Sequence, residues 1–496
     1  MSKKNSGLSI WHLTMLSLGT VVGGSFFLGS AIAIRTAGPG VLISYLLAGI
    51  LVHIILTALS EMTVAEQAPG SFRTYAEEMF GPLVGFVVGW VYWTGIILAM
   101  SSEATAASLL LRNWFPGISL PFTAIIIIAG VTALNLLGAK LLTTLESGLA
   151  LIKLTAIAAF ILGAIALIVG IAGRPIGIGA IGKEPFLPGG ISGIAGSMLI
   201  VMFTYAGFEV IGLAASEAKN PQKTIPKAIN FTVLGLVILY SLAITVLLPL
   251  IPTKGLTEEV SPFVAALTAS GIGWAARAMN IILIIAILST MLAAMFGLGR
   301  MISSLAENGY APAWIKEDSD IPKRGILFSG IAMITGVGLA YLLPSEIYVF
   351  LISSGGFSLL FAYVIIMATH YKFRKNKGCP PQGNCQLSGY PYTSLFGLIF
   401  LLAIIASMPI IPGQGSGLFA GLLLVGFYTL AYIALRSYSL VKSNDNISLK
   451  KILNVNKTEK EINNPQRLKS LKLQSQFETA EELSKQKENN KGNNKK

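Results

Sequence analysis

The chain has 496 residues, 53% of them hydrophobic and only 12% charged, against about 25% charged in an ordinary soluble domain. With a mean hydropathy of +0.71 and apolar runs of about 20 residues recurring along most of its length, it is excluded as a soluble globular enzyme and reads as a polytopic membrane protein. The net charge of +13 concerns membrane topology rather than nucleic acid, and +6 of it lies in Tyr438 to Lys496, which hold 13 Lys/Arg against 7 Asp/Glu.

In chain order, residues 1–8 are a short polar lead, followed by twelve apolar stretches bounded by charge, Pro or Gly. These predict helices over 9–34, 40–65, 82–111, 120–138, 146–172, 193–217, 228–251, 272–303, 325–343, 346–370, 391–411 and 417–436. The runs are continuously apolar, so an all-α bundle is favoured over a barrel, whose strands would alternate. The first stretch carries no small-residue cleavage signature and is a retained span. With the N-terminus inside, fifteen basic residues between Lys3 and Lys377 fall in inner loops. The outer loops hold six: Arg35, Arg112, Arg174, Lys183, Lys254 and Arg277. Both termini are therefore expected in the cytosol. The tail, 438–496, is rich in Lys, Asn, Glu, Gln and Ser and has the composition of a disordered segment.

Two stretches are interrupted at matching places. The first contains Gly19-Thr20-Val21-Val22-Gly23-Gly24-Ser25-Phe26-Phe27-Leu28-Gly29, and the sixth contains Phe203-Thr204-Tyr205-Ala206-Gly207-Phe208-Glu209. Each comes first in a block of five. Broken helices at equivalent positions of two halves point to a substrate site, because unwinding frees backbone N–H and C=O groups near the midplane. Close helix packing is the other reading of Gly23 and Gly24. Half-helix N-termini suit a carboxylate and freed carbonyls suit an ammonium, so a zwitterion fits both.

Charges inside the predicted spans are few. Lys153, seven residues past Glu146, lies on the order of 10 Å into the apolar layer; it is either a lysine snorkelling to the cytosolic interface or a site that binds and releases a proton. Glu209 follows the sixth-helix break and either contacts a substrate amine or braces the unwound segment. Glu103 is either a second proton site or a residue near the outer end of its helix. Glu61 and Glu66 are expected at the inner interface. Cys379 and Cys385 are expected as a reduced pair in an inner loop. No P-loop, HExxH or G-x-S-x-G is present, and His12, His53 and His370 fall on different spans. No cofactor, metal or nucleic-acid partner is expected, and the sequence does not set the oligomeric state.

The glycine-rich first segment resembles that of the amino acid–polyamine–organocation superfamily. So does Phe203 to Glu209 followed by Glu217-Ala218-Lys219-Asn220-Pro221-Gln222-Lys223-Thr224-Ile225-Pro226-Lys227-Ala228-Ile229, which matches the superfamily's E-x-x-N-P-x-x-x-I-P-x-A signature. The resemblance implies a twelve-helix transporter domain over 9–437. It comprises an inverted repeat of five plus five helices, 9–172 and 193–370, with two extra helices over 391–437. It further implies amino acid transport across the cytoplasmic membrane. On that pattern Val22, Gly23, Gly24 and Ser25 bind the carboxylate, while the carbonyls of Thr20 and Val21, with Thr204 and Ala206, bind the ammonium. Phe203 is the aromatic gate, and Lys153 stands where proton-coupled members place a lysine. Here the order is Gly23, Gly24, Ser25 rather than Gly, Ser or Thr, Gly. Leu292 and Ala293 replace the Asn and Ser of the S-x-x-N-S pattern that starts at Ser289, which argues against sodium. Proton symport of a neutral, fairly hydrophobic amino acid is the expectation. An amino acid exchanger and a non-transporting amino acid receptor on the same fold are the alternatives.

Overall fold

The computed structural model describes residues 8–437 except 69, 113, 172–174, 215–217, 258–259, 318, 320, 343–344, 381–384 and 412–413, with backbone alone for 139–140, 345–353 and 410. Lys3, Lys4, Arg174, Glu217 and the 438–496 tail thus lie outside the described residues. The chain divides into two units, Met1–Thr429 and Leu430–Lys496; in the second, the described residues 430–437 are helical.

Among the described residues, eight helical stretches are long and apolar enough to cross a membrane, and four shorter apolar helices accompany them. The first expected span is α1 (Ile10–Val21), a π-helical turn at Ser25–Gly29 and α2 (Ser30–Ala37). The following elements are α3 (Val41–Ala65), α4 (Phe72–Phe80), α5 (Pro82–Arg112), α6 (Leu120–Asn135) and α7 (Ala139–Val169). The sixth span is α8 (Gly190–Thr204) and α9 (Val210–Ala214), separated by turns. Then come α10 (Pro221–Leu247), α11 (Pro262–Ala269), α12 (Gly273–Glu307), α13 (Lys323–Leu342), α14 (Ser345–Lys377), α15 (Tyr392–Ser407) and α16 (Gly415–Ser437). Such helices satisfy every backbone group internally, which the bilayer demands.

The central helices and the outer ones differ in burial. The most apolar window of α12 is 78% buried and that of α5 is 72% buried, whereas that of α7 is 28% buried and turns most of its surface outward. α5 packs against α12 and α14, and α1 packs against α7, α10 and α12, so the broken first helix is enclosed by helices rather than by lipid.

Several expectations need correction. α7 and α10 each begin seven residues earlier than their charges suggested. Gly138 (φ +103°) ends the preceding turn and Asn220 (φ +51°) introduces Pro221 at the first helical position, and these backbone features set the boundaries. α4 and α11 are short loop helices that hydropathy did not flag. Glu61, expected at the interface, is fully buried; its Oε2 accepts from Arg374 (3.1 Å) and from the N–H groups of Gln386 (3.0 Å) and Leu387 (3.1 Å). Glu66 is exposed, as expected there. Cys379 and Cys385 form a disulfide rather than a reduced pair, their Cα atoms 5.2 Å apart.

Candidate substrate and coupling site

At the first break, α1 ends with the N–H of Val22 bonded back to Leu18 O (2.9 Å), and winding resumes at Ser25. The Gly23 carbonyl accepts from Phe26 (3.2 Å) and Phe27 (3.4 Å). Among the described residues, the N–H groups of Gly23 and Gly24 have no backbone partner. They head the second half-helix, where unpaired donors and a positive dipole end coincide. The Val21 carbonyl accepts from the Tyr240 hydroxyl (3.3 Å), and the Thr20 hydroxyl donates to Leu16 O (2.8 Å). A Cβ on Gly23 would stand 2.1 Å from Thr290 Oγ1, so close packing of the break against α12 needs this glycine.

Beside the break lies a buried polar cluster. Lys153 is fully buried, and its Nζ donates to the Gly19 carbonyl (2.7 Å) and to Ser289 Oγ (2.7 Å). The ammonium does not snorkel; it bridges α1 to α12. The Ser289 hydroxyl donates in turn to Glu146, whose Oε1 lies 3.9 Å from Nζ. Glu146 had been read as the inner end of its helix, but it is fully buried about two turns inside α7, so Lys153 sits deeper than the 10 Å count implied. Room for the Glu146 carboxylate exists because Gly19 has no side chain: a Cβ there would lie 1.9 Å from Oε1.

The second break is closed by its own glutamate. Gly207 takes φ +103°, a conformation open to glycine, and a Cβ there would also meet the Thr20 carbonyl at 3.0 Å. The two breaks therefore touch, Gly207 against Thr20. Glu209 is fully buried; Oε1 accepts from Tyr92 (2.9 Å), and Oε2 accepts from Tyr363 (2.9 Å) and from the Gly207 N–H (3.1 Å). Phe208 stacks on Tyr363 with ring centroids 4.8 Å apart. Glu209 thus ties the unwound segment to α5 and α14, and it also lines the cavity between the two breaks.

A cavity of about 80 Å³ lies between the breaks. Of the residues singled out from sequence, Thr20, Ser25, Glu103, Phe203, Ala206 and Glu209 line it. Glu103 is at the cavity wall rather than merely near a helix end: its Oε1 is 3.5 Å from where a Gly24 Cβ would be, and among the described residues Oε2 has no hydrogen-bond partner. Val21, Val22 and Thr204 are fully buried; the Thr204 hydroxyl is taken by Val201 O (2.8 Å). The remaining walls are mainly apolar, including Ile96, Met100, Val210 and Leu359. Sequence reading left Glu146, Ser289, Thr290, Tyr92 and Tyr363 out of the site. The one local signal was the seven-residue spacing of Glu146 and Lys153, two helical turns on one face.

The family profile described as Amino acid permease matches residues 12–442. The chain is 31% identical over 447 residues to the gamma-aminobutyric acid permease of Bacillus subtilis, covering 88% of this chain and 95% of that protein. It is 33% identical over 423 residues to the aromatic amino acid transport protein AroP of Escherichia coli O6:H1, covering 83% and 92%. In fold it is similar to a manganese transporter of Eremococcus coleocola, with a TM-score of 0.56 at 14% identity over 89% of this chain and 96% of that one. An apolar cavity held between two broken helices, in a chain matched almost throughout by this profile, belongs to a multi-pass membrane transporter rather than an enzyme: the chain is a member of the amino acid permease family.

Proposed function

We propose that the chain imports an amino acid across the cytoplasmic membrane by proton symport. The scaffold in this reading is a twelve-helix transporter over 9–437, with repeats over 9–172 and 193–370, extra helices over 391–437 and both termini in the cytosol. The substrate carboxylate meets the N–H groups of Gly23 and Gly24 and the Ser25 hydroxyl. Its ammonium meets carbonyls of Thr20 and Val21 and the segment around Thr204 and Ala206, and Phe203 closes over it. Relatives named for gamma-aminobutyric acid and for aromatic amino acids support a substrate with both groups. The apolar walls support a neutral, fairly hydrophobic side chain.

The observation that carries the coupling is the Lys153 bridge, whose ammonium donates to the first-helix carbonyl of Gly19 and to Ser289. A protonated Lys153 holds α1 against α12 and keeps the site assembled; loss of the proton releases that restraint and lets the substrate leave inward. Glu103, at the cavity wall with an unpartnered oxygen, is the second proton station. The test is uptake into proteoliposomes under an imposed pH gradient. Wild type accumulates substrate above equilibrium, and Lys153→Ala loses that accumulation while still exchanging internal for external substrate. Accumulation by Lys153→Ala at the wild-type level moves the coupling proton elsewhere. Exchange without gradient-driven accumulation in the wild type makes the protein an exchanger.

A further inference from the structure

Phe203 lies between the main cavity and a closely packed region. On its far side Met202, Gly356, Leu359, Leu360 and Tyr363 close on the ring and leave no room for a water molecule. The ring edge points at Gly356, where a Cβ would stand 2.2 Å from Phe203 Cζ and 2.5 Å from Cε2. The preceding Gly355 does different work, since a Cβ on it would meet the backbone carbonyl of Gly95 at 3.0 Å. Gly355 lets α14 lie against α5. Gly356 serves the ring alone. Phe203 is also the penultimate residue of α8, directly before the unwound segment, so its backbone is held less firmly than that of a mid-helix residue.

We propose that Gly356 sets the largest substrate side chain the cavity admits, by leaving the slot in which the edge of the Phe203 ring sits, clear of the main cavity. This rests on the amino acid site proposed above. With the ring so seated, the cavity keeps the width that a bulky or aromatic side chain needs. A methyl group at position 356 closes the slot and drives the ring into the main cavity, so it penalises large side chains selectively.

The experiment measures affinities of purified protein for L-tryptophan, L-phenylalanine and L-alanine. One misplaced methylene in an apolar pocket shifts discrimination by about 10- to 200-fold. Gly356→Ala should accordingly lower the tryptophan-to-alanine affinity ratio by about tenfold or more, and Gly356→Ala with Phe203→Leu should return it toward wild type. An equal loss for all three probes that Phe203→Leu does not rescue makes Gly356 a packing glycine and overturns the proposal. So does an unchanged ratio. Phe203→Leu on the native glycine is the arm that does not depend on a folded alanine variant: it should raise the ratio, and a ratio equal to wild type overturns the proposal. A wild-type protein that binds none of the twenty amino acids overturns the site reading and this proposal together.

Discussion

The two helix breaks are alike in sequence position and opposite in chemistry. At the first, among the described residues, the amides of Gly23 and Gly24 are left without backbone partners, and the neighbouring Glu103 keeps an unpartnered oxygen. At the second, each oxygen of Glu209 already accepts a tyrosine hydroxyl, and one of them also accepts the Gly207 amide. Buried polar groups are almost always paired, so those left open beside a cavity are candidates for pairing with a ligand. On the proposed reading the open amides of the first break take the substrate carboxylate, while Glu209 braces the second break beside the segment that meets the ammonium.

Three substitutions press on this contrast. The largest effect is expected from Gly24→Val. Its Cβ alone would approach Ile287 Cγ1 at 3.0 Å, and its branches would fill the space facing Glu103, so titration calorimetry should register no binding. Wild-type affinity in that variant would place recognition elsewhere than the first break. Next is Glu146→Ala, which strips the anion from a buried Lys153. Breaking such a pair costs about 3–5 kcal/mol, read as a large drop in the thermal midpoint of purified protein. Glu146→Gln, which keeps an acceptor for Ser289, should lose less. The smallest is Tyr363→Phe, which removes one donor from Glu209 and should destabilise by about 1–3 kcal/mol while changing substrate affinity less than about threefold. A collapse of affinity there would mean that Glu209 recognises substrate rather than bracing the second break, and the contrast would fail.

How much of this could be read from the sequence divides along the same line. Apart from the starts of α7 and α10 and the end of α14, the apolar runs fell within a few residues of the observed helices because the bilayer imposes one dominant rule on composition. The breaks were visible because Gly23, Gly24 and Gly207 interrupt otherwise continuous apolar stretches, and Glu209 marked the second by its charge. What closes the breaks was not visible. Tyr92 and Tyr363 reach Glu209 across 117 and 154 residues of chain, and Ser289 reaches Lys153 across 136. Such pairings leave no local pattern. Glu146 and Glu61 misled for one reason: a charge near the end of an apolar run was taken as the water boundary, whereas each is buried against partners supplied by another helix. The loop helices α4 and α11, nine and eight residues long, are too short for hydropathy to distinguish from turns.

The described N-terminal end of the chain carries a mechanical consequence. Leu8, just ahead of α1, forms a parallel bridge with Ala218, and its carbonyl accepts from the Lys219 amide at 2.8 Å. Ala218 lies four residues beyond the end of α9. Backbone thus ties the segment just ahead of α1 to the segment just ahead of α10, whose first residue is Pro221. An opening that separates the start of α1 from the start of α10 must therefore break this pair.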